Sequence, residues 1–279
     1  MSLPTTHPWL PSSAELEPQV KLRAVRLLEA IATWRTGQAG LVAARRRVAA
    51  LGYDPSLVDQ VADPLLAHST GRSSVIQVVD AQYGGILASS SSVLVVLQQW
   101  VLSADGRTVI GGGTTVDCRL VAASPYWRVV ALHPARPGSA AASPSTLARD
   151  VLADPRIHLP VAAHADVRSG AISAGVLSAL QRLSTRHVVN VSVVKSGHPL
   201  YVFGTNRISD HPRGHAVDIW AIDGHPVVDP ANRALVESVM RAGISYGAWQ
   251  VGGPYLLGAG PTYFSDNTHH DHVHWGFHI

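Results

Sequence analysis

Ser209-Asp210-His211-Pro212-Arg213-Gly214-His215-Ala216-Val217-Asp218, answered near the C-terminus by Asp271-His272-Val273-His274, decides how the second half of this chain must fold. His211 and Asp218 stand seven residues apart, too far for one helical turn and on opposite faces of a regular strand. A bend must bring them together, and Pro212 and Gly214 supply it. Beyond the bend, Ala216-Val217-Asp218-Ile219-Trp220 is apolar and partly β-branched, which predicts a buried strand. A buried carboxylate there needs a compensating charge, and a metal ion provides one. Thr268 to Phe277 reads as the partner strand, with His272, His274 and Gly276 on one face and Val273, Trp275 and Phe277 on the other.

Two imidazoles and a carboxylate, His211, Asp218 and His274, are a usual ligand set for zinc with a fourth position left for water. Asp271, at the start of the strand, is the expected general base that activates this water, and His272 is expected to bind the water or an oxyanion. A histidine-rich tail also binds metal adventitiously, and eight of the 15 histidines lie beyond position 210. The aspartate at fixed spacing, the glycine-bearing bend and the apolar strands favour a built site instead. His269, His270 and His278 read as rim residues, while His215 and His225 carry no assigned role.

The pattern S-x-H-x-x-G-x-A-x-D followed by D-x-x-H resembles the zinc D-alanyl-D-alanine carboxypeptidases and related peptidoglycan endopeptidases, the metallopeptidase group that also contains lysostaphin and the hedgehog signalling domain. Ser209, His211, Gly214, Ala216 and Asp218 carry the first motif, and Asp271 and His274 the second. The likeness covers about half the chain, roughly Ser145 to Ile279. It implies a bacterial zinc hydrolase that cuts peptidoglycan stem peptides in the cell envelope. A catalytically silent, hedgehog-like zinc-containing cell-wall module is the alternative. One departure matters. Where the carboxypeptidases read S-G-Y-R, with an Arg that stabilises the substrate carbonyl or carboxylate, this chain has Ser196-Gly197-His198-Pro199. Arg207, Arg213 and Lys195 are the candidates to replace that Arg in substrate binding.

Composition narrows the remaining classes. With 279 residues, 46% of them hydrophobic and 15% charged, the chain can bury two cores and lacks a disordered character. Its net charge of +3 suits an anionic polymer, and no basic run points to nucleic acid. Cys118, the single cysteine, lies in an apolar strand-like run and reads as a structural thiol. No stretch has the length and apolarity of a membrane span. Met1 to Ser13 lacks the basic and apolar regions of a signal peptide, so export would require a leader or anchor that was removed. A monomer is expected.

The chain divides into a disordered leader (1–13), an accessory α+β domain (14–135), a linker (136–146) and a zinc peptidase domain (147–279). The accessory domain opens with helices over Pro18–Thr33 and Gln38–Leu51, then a short one after Asp54-Pro55. Strands follow at Val75–Val79, Gly85–Ala88, Val93–Leu102, Thr108–Ala122 and Trp127–His133, with a hairpin at Asp105-Gly106. Helices before an antiparallel meander predict a cone-like domain. The second domain predicts helices at Thr146–Leu152, Ser173–Ser184 and Ala231–Ala242, the last ending at Gly243, on a small antiparallel sheet. Both motifs lie beyond the linker, so this half is expected to fold and act alone.

Overall fold

The computed structural model describes residues 1–278, a mixed α/β chain with an antiparallel sheet and a mixed sheet. The first half is helices then sheet, as its pattern predicts. Helix α1 (Pro18–Ala32) buries Val20, Ala24, Leu27, Leu28 and Ile31, the apolar face read from their spacing. Helices α2 (Leu41–Ala50), α3 (Leu57–Gln60) and α4 (Ala62–Leu66) follow. Four strands then pair in sequence order, β1 (Ser73–Ile86), β2 (Ser90–Leu102), β3 (Val109–Val121) and β4 (Arg128–Pro134). The two short strands expected over 75–88 are one continuous β1. Its pairing with β2 shifts register between Val78 and Asp80 and between Tyr83 and Gly85, and such bulges re-aim side chains. The polar Asp80 and Gln82, which broke the sequence pattern, belong to this irregular stretch. Residues 1–13 form no helix or strand, yet they are held against the sheet rather than loose. His7 and Gln77 exchange two hydrogen bonds of 2.9 and 3.1 Å, and Trp9 packs on the core.

The second half builds α5 (Thr146–Ala153), β5 (Ile157–His158), α6 (Val161–Arg168), α7 (Ala174–Ser184) and β6 (Val189–Val193). After a long loop come β7 (Ala216–Ile222), β8 (His225–Pro226), α8 (Arg233–Ser245), β9 (Gln250–Gly252), β10 (Tyr263–Phe264) and β11 (Val273–Gly276). The sheet has seven strands in the order β10-β9-β11-β7-β6-β5, with β8 beside β7. It is not purely antiparallel as expected, because β5–β6 and β10–β9 are parallel pairs. α5 and α7 start at Ser145 and Ser173, whose hydroxyls accept from Ala148 and Val176, as N-caps do.

Alternation along β7 and β11 sorts their side chains between two surroundings. Val217, Ile219, Val273 and Trp275 join the apolar core with Val176, Leu180, Val236 and Met240 of α7 and α8. Asp218, His272 and His274 leave the other face. The N-terminal half keeps a separate core.

Helix α8 runs through Gly243 instead of ending there. The glycine is needed for close approach, since a Cβ would collide with the fully buried Trp275 indole. Gly243→Ala should therefore cost about 1–3 kcal/mol, read as a lower unfolding midpoint in urea.

Candidate metal centre

The β11–β7 ladder sets His274 directly opposite Asp218. His211 reaches the same point from a 3-10 turn, His211–Arg213, closed by Gly214 at φ 76°. A side chain at Gly214 would strike the carbonyl of Ala171, so both the left-handed backbone and the close approach demand glycine. All three residues are buried. His211 Nε2 lies 3.1 Å from Asp218 Oδ1 and 3.2 Å from His274 Nδ1, and His274 Nδ1 lies 2.9 Å from Asp218 Oδ1.

Hydrogen-bond bookkeeping leaves a place for a cation here. His211 Nδ1, 3.1 Å from the Val194 carbonyl, must donate to it. A neutral His211 then turns its Nε2 lone pair toward a carboxylate oxygen, which is repulsive. A second proton on His211, donated from Nε2 to Asp218, or a cation at the centre of the three atoms removes the conflict. Ligand atoms of a tetrahedral zinc site with bonds of about 2.0–2.1 Å sit about 3.3 Å apart, close to the separations here. The donor set of two imidazoles and one carboxylate fits such an ion.

The groups around the triad come from both halves of the chain. Gln82 of β1 donates from Nε2 to Asp218 Oδ2 at 2.7 Å, and its own Oε1 accepts from Ser192. Partners of this kind orient ligands and raise affinity. His198 stacks on His211 with ring centroids 4.1 Å apart and donates Nδ1–H to the Pro199 carbonyl. Desolvation and the neighbouring His211 hold it well below the usual imidazole range, so it stays neutral. Asp166 of α6 anchors this loop by accepting from the Ser196 amide and hydroxyl at 2.7 and 2.6 Å. His198, His211 and Asp218 also lie close enough together to share an ion. The stacked geometry makes His198 a lid over His211, and the tighter set is the one completed by His274.

Asp271 does not face the cleft. It is buried, and both carboxylate oxygens are engaged. Oδ1 receives His272 Nδ1–H at 2.6 Å, while Oδ2 receives the Tyr83 amide at 2.9 Å and the Lys21 ammonium at 2.7 Å. Burial opposes its ionisation, but Lys21 and His272 outweigh burial and hold it below the usual carboxylate range. His272 places Nε2 3.7 Å from Asp218 Oδ2 and lines the cleft. Burial lowers its proton affinity, yet Asp218 and Asp271 raise it to about 9. His274 shifts the other way, lowered to about 4 chiefly by burial, and is thus neutral.

A cleft of about 550 Å³ reaches the triad at His274, walled by Tyr83, Gly84, Ile86 and Leu87 of the first half and by Val202, Phe203 and Phe264 of the second. Arg207 lines it, and His269 stands on its rim. The other two substrate-binding candidates lie elsewhere. Lys195 lines a separate cavity with His133 and Arg136, beyond His198, and Arg213 is exposed and lines neither cavity. Glu15, His270 and Asp271 form another acidic cluster. Its cation is already present, because Lys21 Nζ lies 2.5 Å from Glu15 and 2.7 Å from Asp271.

His198, Gln82, Tyr83 and Lys21 were missed in the sequence. Their signals were faint: a His in the stretch scanned for an absent Arg, a polar break in a strand, and a lysine on the apolar face of α1. No family model matches the chain, nor does any curated protein or solved structure.

Gln82→Ala should weaken zinc binding about 10- to 100-fold, measured by competition with a chelator, while the fold is retained. Asp80 bears on pH. Its Oδ2 is sealed from solvent without a partner, and burial pushes its carboxyl up from 3.8 to about 7 despite Lys21. A folded value above the unfolded one means folding takes up a proton, so stability from this group falls as pH rises from about 4 to 7. Asp80→Asn should remove that loss. Its gain over wild type in urea unfolding should grow across this window and level off above pH 7.

Proposed function

We propose that the chain is a zinc-dependent peptidase of the cell envelope, cutting peptidoglycan stem peptides or crosslinks with a C-terminal zinc peptidase domain of the kind its two motifs resemble. The observation that carries this reading is the convergence of His211 Nε2, Asp218 Oδ1 and His274 Nδ1 within 3.2 Å of one another, with His274 lining a cleft. These three would hold the ion. Zinc, when bound, supplies Lewis-acid activation of water for attack on a peptide carbonyl.

The remaining chemistry falls to the chain's own groups. His272 is held through Nδ1 by Asp271 and turns Nε2 to the cleft, and with its proton affinity raised it is the group that steadies the oxyanion and gives a proton to the leaving amine. Asp271 itself is spent on His272, Tyr83 and Lys21, and its role moves from base to orienting anion. Arg207 is the cation that reaches the cleft, and it takes the oxyanion or a terminal carboxylate in place of the Arg that Pro199 displaces. Leu87, Val202, Phe203 and Phe264 give the cleft apolar walls for a short peptide segment. The likeness to hedgehog-type modules keeps binding without turnover as the second outcome. No helix among the described residues is long and apolar enough to cross a membrane.

Zinc-loaded protein incubated with purified peptidoglycan should release peptides detectable by mass spectrometry. His211→Ala and His274→Ala should lose stoichiometric zinc by elemental analysis. His272→Ala should keep zinc and lose about 10²- to 10⁴-fold in turnover. Stoichiometric zinc in both ligand variants overturns the site, and zinc-dependent binding without peptide release favours the silent module.

A further inference from the structure

We infer that Lys21, from the first helix of the N-terminal half, is a positioning residue for His272, so that the working site is assembled from both halves of the chain. The inference deepens the peptidase reading and rests on it for its kinetic consequences.

Lys21 lies on the buried face of α1, between Val20 and Ala24, and its side chain is 0% exposed. Burying an ammonium is costly unless it is paired, and Lys21 is paired twice. Its Nζ meets Glu15 Oε2 at 2.5 Å and Asp271 Oδ2 at 2.7 Å, and it stands 4.9 Å over the Tyr83 ring. The Tyr83 amide completes the hold on the same Asp271 oxygen at 2.9 Å. Two donors from the N-terminal half therefore fix one oxygen of Asp271, which leaves the other oriented on His272 Nδ1 at 2.6 Å. That bond makes Nδ1 the donor and frees His272 Nε2 for the cleft. The chain of contacts is Lys21 to Asp271 to His272, and it ends 3.7 Å from a metal ligand.

Charge counting separates this from a plain structural ion pair. Glu15 alone would neutralise Lys21. A second carboxylate at 2.7 Å is surplus to that need, and it is the one that carries the cleft-facing imidazole. Asp80 lies in the same buried network and goes without a partner for its Oδ2. The ammonium is thus directed to Asp271 in preference to Asp80.

The test uses the full chain loaded with zinc, comparing Lys21→Met, Asp271→Asn and the double variant. Three readouts are taken: zinc content, kcat and KM on a peptidoglycan peptide, and the nitrogen-15 and proton resonances of His272 Nδ1–H. Lys21→Met should keep stoichiometric zinc, lose about 10- to 100-fold in kcat with KM within about threefold, and shift the His272 resonance. The double variant should be no worse than Asp271→Asn, because both act through one carboxylate. A wild-type resonance and kcat in Lys21→Met, or additive losses in the double variant, overturn the proposal. The resonance is read without turnover. A shifted signal in a protein that hydrolyses nothing upholds the positioning role while the peptidase reading fails. If Lys21→Met does not fold, Lys21→Met/Glu15→Gln, which removes the second unpaired carboxylate, is read in the same way. Failure of both to fold marks Lys21 as a structural ion-pair residue and overturns the proposal.

Discussion

Across the β7–β11 ladder, Asp218 and His274 leave the sheet side by side on the face away from α7 and α8, and the turn at Pro212–Gly214 swings His211 onto the same point. A strand repeats every two residues, so slipping β11 by one would carry His274 into the apolar core and push Trp275 out. The core therefore enforces the register on behalf of the site. Val217, Ile219, Val273 and Trp275 are all fully buried and hold it in place. The same packing commits Asp218 to burial, and a buried carboxylate needs a compensating positive charge, from a protonated imidazole or a bound cation. A metal ion bound there would be linked to the folding of this sheet.

The far side of the site is closed by the other half of the molecule. The two halves keep separate apolar cores, so a reading from hydrophobicity alone divides the chain cleanly near the linker. Polar contacts cross that division where it matters. Gln82 reaches Asp218, and Tyr83 and Lys21 reach Asp271. Cutting at the linker would leave the Asp271 carboxylate without two of its three donors and the Asp218 carboxylate without its amide donor. The expectation that residues beyond 145 work alone thus conflicts with the electrostatics of the seam, even though their apolar core is self-contained.

How much was legible follows from the range of each interaction. The triad could be read because bend, strand and alternation are local patterns, and the serine caps at 145 and 173 are local too. α8 was misjudged at Gly243 because what that glycine serves is contact with Trp275, which no local pattern announces. β5 and α6 were missed since Ile157–His158 is too short to show a period and α6 is only weakly amphipathic. The bond from Gln82 to Asp218 spans 136 positions and the one from Tyr83 to Asp271 spans 188. Contacts of that range leave only an oddity in the sequence, such as a polar residue where an apolar one would pack.

Those oddities share a cause. Lys21 in an apolar helix face, Asp80 and Gln82 inside a strand, and Asp271 at the mouth of another are each unfavourable choices for a half considered alone. Across the seam Lys21 pairs with Asp271 and Gln82 with Asp218 and Ser192, while the Asp80 oxygen retains no partner. A seam made of apolar side chains would hold two halves together more cheaply than buried charges do. Polar groups fix direction as well as proximity, and this seam meets the metal centre through hydrogen bonds with set donors and acceptors. The cost of burying those charges is thereby turned to the orientation of Asp218 and His272, the two side chains whose direction the chemistry of the cleft most depends on.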